Sequence, residues 1–200
     1  MDINYIPPLI ISLLIGSAPL GMLIHALLVD TKEQALSFSR SNITPLSLLR
    51  MNLKKQALLA GALEISKPIL CLIIMLAYTH NSDLALLCAF VAALGHLFPV
   101  YQYFKPQKTV LPILAFIFAL SPLAGIVICI LWFCTLLLLK RPHSTTVYIT
   151  TFAPFIAMMN APDIYPVGLS LLLAMLILFI HKKELLGIYP NDEPPIKLSL

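Results

Sequence analysis

Glu64 and Lys67 stand three residues apart in AGALEISKPIL, inside an otherwise apolar stretch. On a helix that spacing puts the carboxylate and the ammonium on one face, close enough to pair. Ionised groups within an apolar span are costly and face a polar cavity or each other, so the pair reads either as a structural ion pair near a helix start or as the wall of a site. Further along, in LGHLFPVYQYFKPQKT, Gly95 and Pro99 flank His96, and Lys105 and Lys108 follow. A histidine at a helix end accepts or donates a hydrogen bond, sits as a cation at the negative pole, or moves a proton. With Arg50 from another segment, Lys105 and Lys108 can gather a phosphate, the arginine as a two-pronged fork and the lysines as point charges.

Arg50 lies in SNITPLSLLRMNLKK, where Thr44 can cap a helix and Pro45 fits its first turn. Ser47, Arg50 and Lys54 then share one helical face and Leu46, Leu49 and Leu53 another, the pattern of an amphipathic helix at a membrane surface. Attraction to anionic lipid explains such a helix without any site. The four cysteines, Cys71, Cys88, Cys129 and Cys134, lie in apolar stretches without CxxC spacing, so neither a metal site nor a disulfide is expected. No Walker loop, HExxH or GxSxG is present.

The elements that must position these groups are membrane helices. Of 200 residues, 60% are hydrophobic and 11% charged, which excludes a water-soluble globular domain and leaves no basic arm for nucleic acid. Apolar segments cover 5–29, 57–79, 84–103, 110–139, 147–160 and 164–180. The first exceeds a signal-peptide core and lacks a positive flank, so it is expected to remain as one transmembrane helix. The fourth, 110–139, is long for one span. Cations favour the cytoplasmic side, and a single span there would put Lys140 and Arg141 outside. A break near Ala119-Leu120-Ser121-Pro122 restores the pattern, because proline removes a backbone donor.

The resulting expectation is an all-α polytopic membrane protein, a single transmembrane domain over 1–200. It has seven transmembrane helices, the N-terminus outside and the C-terminus cytoplasmic. Segments 110–121 and 147–160 are short enough to be re-entrant or sheltered by neighbours. Twelve of the 13 cations fall on the cytoplasmic side, and Lys67 alone lies within the membrane.

Several ordered segments resemble the bacterial acyl-phosphate:glycerol-3-phosphate acyltransferase family. Gly16-Ser17-Ala18-Pro19-Leu20-Gly21 is similar to its GSxPxG, and Gly95-His96-Leu97-Phe98-Pro99 to its GHxFP. Ser41-Asn42-Ile43 through Arg50, Glu64-Ile65-Ser66-Lys67 and Phe104-Lys105-Pro106-Gln107-Lys108 stand where the family has GSGNIGATNxxR, DxxKG and FKGGKG. Arg141 with Ser144 fits a following RxxS, and His181 a final HxxN.

The resemblance implies a multi-pass protein of the bacterial inner membrane. It would transfer an acyl chain from acyl phosphate to the sn-1 hydroxyl of glycerol 3-phosphate, make lysophosphatidic acid for phospholipid synthesis, and need no cofactor or metal. It assigns phosphate binding to Asn42, Arg50, Lys105 and Lys108, a catalytic role to His96, and support to Glu64, Lys67, Ser144 and His181.

The chain also departs from that pattern. Ser39-Arg40-Ser41-Asn42-Ile43-Thr44-Pro45 replaces a glycine-rich loop, and Pro106, Gln107 and Thr109 replace glycines of a second. Ser47 and Glu184 each replace an asparagine, and Gly187 an arginine. A carboxylate at 184 repels phosphate unless it is protonated or paired. The alternative reading is therefore a catalytically impaired pseudoenzyme that keeps a phosphate- and lipid-binding groove.

Overall fold

The structure, a computed structural model, describes residues 5–28, 44–50, 53–160 and 163–186. Among these it contains ten α-helices and no strand: α1 Ile6–Ser17, α2 Leu20–Leu28, α3 Pro45–Arg50, α4 Lys54–Thr79, α5 Ser82–Leu97, α6 Leu111–Leu120, α7 Pro122–Leu139, α8 Pro142–Asn160, α9 Ile164–Ile180 and α10 Lys182–Leu185. A 3₁₀ turn, Val100–Gln102, follows α5. Three of the helical stretches are long and apolar enough to cross a bilayer: Lys54–Thr79, Ser82–Gln102 and Pro122–Leu139.

Local chemistry sets the helix ends. Asn81 caps α5 by accepting the Leu84 N–H at 3.1 Å, with Asp83 in the first turn, where a negative charge meets the helix dipole. The expected break within 110–139 falls at Ser121, whose hydroxyl accepts from Ala124 N–H at 3.4 Å while Pro122 opens α7. Lys140 closes α7 with a left-handed φ of 53°. Expected over 147–160, α8 instead begins at Pro142. Thr145 and Thr146 there return their hydroxyls to carbonyls one turn back, at 2.9 Å each, so polar residues that lower hydropathy are still compatible with a helix.

The centre of the bundle is α6. It is apolar on every side, and Pro112–Ile117 and Ala119 are buried, as such a helix requires. Phe116 meets Phe90 of α5 edge-on, with ring centroids 5.9 Å apart. Leu97, Ile113, Ile117, Ile128, Leu173 and Ile177 complete a core drawn from α5, α6, α7 and α9. Leu58, Leu138, Met159, Ile164 and Phe179 are exposed on the outside, an arrangement that suits lipid and not water.

Two sequence expectations need correction. The apolar run 5–29 is not one helix: it breaks at Ala18-Pro19 into α1 and α2, because Pro19 has no N–H to continue the ladder. Nor do Ser47, Arg50 and Lys54 share one helix. α3 ends at Arg50, and Lys54 opens α4 after Leu53. α3 has six residues, held by a reciprocal cap in which Thr44 N–H donates to Ser47 Oγ at 2.8 Å and Ser47 N–H to Thr44 Oγ1 at 3.2 Å. Its most buried contact is Leu48, against Ile24, Ala57 and Ala60, with Leu49 and Leu53 of the expected apolar face packed partly buried beside them.

Candidate active site

The break at Ala18-Pro19 creates the first polar centre. Where a helix stops inside an apolar environment, its last carbonyls and the next helix's first N–H groups need partners. Both come from α4. The Lys67 ammonium donates to Gly16 O at 3.3 Å and to Ala18 O, covering the α1 carbonyls. Glu64 Oε1 accepts the Gly21 N–H at 3.3 Å, covering the start of α2. Glu64 Oε2 is shared by Lys67 and His96, whose Nδ1 lies 2.7 Å away.

The pair is therefore structural in its first duty, and its position corrects the expectation of a helix start: α4 begins ten residues before Glu64. The buried stripe Ala57, Ala60, Glu64, Lys67, Cys71 and Met75 keeps both groups on the α4 face that packs inward. Pro68 cannot donate to the Glu64 carbonyl one turn back, so the helix ladder is already open at this point.

Close backbone approach brings His96 to this centre. A methyl group at Gly16 would stand 2.0 Å from the Ala92 carbonyl oxygen, and one at Gly95 would stand 2.4 Å from that of Leu13. Glycine at both positions lets α1 and α5 touch, as Gly16-Ser17-Ala18 implies. After α5 the chain folds back, with Gln107 N–H on Leu97 O at 2.9 Å and Gln107 Nε2 on Gln102 Oε1 at 2.9 Å. Tyr103 and Phe104 turn this loop at φ 54° and 56°. A small cleft opens here, lined by Gly16 to Pro19, Thr44, Pro45, Glu64, Lys67, His96, Pro99, Gln102, Gln107 and Thr109.

A second polar centre joins the same loop to the end of α9 and to α10. Lys108 Nζ meets Glu184 Oε1 at 2.6 Å. His181 is fully buried, with Nδ1 3.0 Å from the Ile177 carbonyl and its ring centroid 5.7 Å from that of His143. A carbonyl only accepts, so Nδ1 carries the proton in the neutral ring and Nε2 is left as an acceptor. That atom, Glu184 Oε2 and Ser144 Oγ are buried without a hydrogen-bond partner among the described residues.

Burial pushes the His181 pKa down, beyond what its Ile177 hydrogen bond returns, and the neighbouring His143 pushes the same way. For Glu184 burial pushes upward, yet the Lys108 hydrogen bond and charge hold the carboxyl below its ordinary range.

The structure thus sends His96 and Lys108, placed together by the sequence, to different carboxylates. Glu64, Lys67 and His96 meet at one centre, and Lys108, Glu184 and His181 at the other. Lys105 is exposed and stands outside the cleft lining. Ser144 is buried on α8. Asn42 and the Arg50 side chain lie outside the described residues. Sequence reasoning missed Gly21 as a partner of Glu64, and Pro19 two residues earlier was the signal. It also left Glu184 without a partner.

A bundle of apolar helices with a polar cleft lined by a carboxylate, an ammonium and an imidazole has the build of a membrane protein with a polar site among its helices. Residues 6–189 match the family model for glycerol-3-phosphate acyltransferase, and the chain belongs to that family. A glycerol-3-phosphate acyltransferase of Macrococcus caseolyticus is 26% identical over 191 residues, covering 96% of each chain. One of Neisseria meningitidis is 27% identical over 195 residues, again covering 96% of each. The fold is similar to that of PlsY, an integral membrane glycerol 3-phosphate acyltransferase. Crystal structures of its lysophosphatidic acid and glycerol 3-phosphate forms each superpose with a TM-score of 0.74 over 94% of both chains, at 22% and 20% identity.

Proposed function

We propose that this protein transfers an acyl group from acyl phosphate to the sn-1 hydroxyl of glycerol 3-phosphate, releasing inorganic phosphate and lysophosphatidic acid. It would do so at the cytoplasmic face of a bacterial inner membrane, as a seven-span protein with its N-terminus outside. Family membership supports the acyl acceptor. The charge distribution and the helix break at Ser121 support the span count and orientation.

The observation that carries the mechanism is the imidazole of His96 in the cleft, held by Glu64 at 2.7 Å. A carboxylate on Nδ1 fixes that proton and leaves Nε2 as the acceptor, the arrangement a general base needs. The acceptor hydroxyl oxygen attacks the acyl carbonyl carbon as its proton passes to Nε2. The carbon–oxygen bond to phosphate breaks, and the electron pair leaves with the phosphate. The acceptor's own phosphate is the other group that can take that proton. Lys108 and Arg50, together with Lys105 and Asn42, would hold phosphate and offset the charge that develops. Glu64, Lys67, Ser144 and His181 support the two centres, and the apolar helix faces take the acyl tail.

Purified protein in lipid, given acyl phosphate and glycerol 3-phosphate, should release lysophosphatidic acid and phosphate in equal amounts. His96→Gln should lower kcat by about 10²- to 10⁴-fold. Folded protein that binds both substrates without product would overturn the reading and identify a binding protein.

A further inference from the structure

Glu184 and Glu64 are both buried beside a lysine, but their oxygens are used differently. Both oxygens of Glu64 are engaged, one by the Gly21 N–H and the other by Lys67 and His96. Glu184 places Oε1 on Lys108 at 2.6 Å, while Oε2 is buried with no partner among the described residues. The Lys108 side chain is 40% exposed and that of Glu184 1%. An anion arriving from outside therefore meets the ammonium first, and finds it already neutralised from behind.

A carboxylate serving only to fix the loop would be expected to bond through both oxygens, since a buried acceptor without a donor is unfavourable. His181, one side chain away, offers a second acceptor, Nε2, and no donor. Lys108 is the side chain whose hydrogen bond holds the Glu184 carboxylate.

We propose that Glu184 is a specificity-determining residue of the acceptor site: its carboxylate occupies Lys108 as a built-in anion, so an acceptor's phosphate must share or displace it. The chain then discriminates weakly between a doubly and a singly charged phosphate head. The inference rests on the reading of Lys108 as a phosphate ligand. Coulomb attraction between Lys108 and the ligand is halved or worse when a carboxylate holds the ammonium at contact distance. Replacing that carboxylate by an amide keeps the shape and restores the charge.

The test compares glycerol 3-phosphate with its phosphate methyl ester, which carries one negative charge fewer, in wild type, Glu184→Gln, Glu184→Asn and Lys108→Gln. Wild type should favour the dianion by less than about threefold in KM, and the two Glu184 variants by about tenfold more than wild type. The gain should fall on KM more than on kcat, and inhibition by inorganic phosphate should tighten in parallel. Lys108→Gln should weaken phosphate inhibition. If it does not, the reading of Lys108 fails. If it does, and neither Glu184 variant tightens phosphate, the reading of Lys108 stands and the inference about Glu184 falls. Should both Glu184 variants fail to fold, the wild-type ratio alone decides, and a strong preference for the dianion overturns the proposal.

Discussion

The two carboxylate–lysine centres use the same pair of side chains to different ends. Glu64 and Lys67 lie one turn apart on α4, and their unused valences go to backbone groups freed by the break between α1 and α2. Lys108 and Glu184 come from segments 76 residues apart and join the loop after α5 to α10. At the first centre every oxygen of the carboxylate is taken and the cation is buried. At the second an oxygen is left over and the cation reaches the surface. A carboxylate with both oxygens taken holds its partners in place, His96 among them, whereas one with an oxygen to spare can exchange its internal partner for an external one.

The sharpest way to break this contrast is to remove one carboxylate charge at each centre. Glu64→Gln leaves the Lys67 ammonium buried without a counter-charge, and should cost about 3–5 kcal/mol, read as loss of folded protein or a large fall in Tm in detergent. Glu184→Gln leaves Lys108 able to turn outward, and should cost no more than about 1 kcal/mol. Equal losses would erase the distinction.

A smaller effect is expected from Gly16→Ala. Its methyl group must push α1 off Ala92 of α5, which should cost about 1–3 kcal/mol and raise KM by displacing the cleft wall. A circular-dichroism melt beside an activity assay separates the two effects.

The smallest is a pH effect confined to the second centre. The folded state depresses the pKa of His181 and of Glu184, so in both cases the unfolded chain binds protons first as pH falls. Stability from His181 is whole above about pH 6.5 and declines below it. The share from Glu184 declines below about pH 4.3. Stepwise melts should show His181→Phe removing the first decline and Glu184→Gln the second.

Much of the scaffold was legible because it is local. The i, i+3 spacing of Glu64 and Lys67, the stop at Ser121-Pro122, the Thr44-Pro45 start of α3 and the close contact at Gly16 each depend on a few neighbouring residues. Pro19 carried the same signal as Pro122, yet the unbroken apolar composition of 5–29 masked it. Hydropathy measures side-chain transfer and is blind to a missing backbone donor. The start of α8 was missed for the opposite reason: Thr145 and Thr146 read as polar, although both return their hydroxyls to the helix.

By itself the sequence determined an all-helical, lipid-compatible chain, the positions of most breaks, the intramembrane ion pair and the family motifs, since periodicity, proline chemistry and charge act within one or two turns. Only the tertiary structure decided that His96 answers to Glu64 and Lys108 to Glu184. Those partners lie 32 and 76 residues apart. Contacts at that range depend on how closely helices approach, which Gly16 and Gly95 permit but no local pattern specifies.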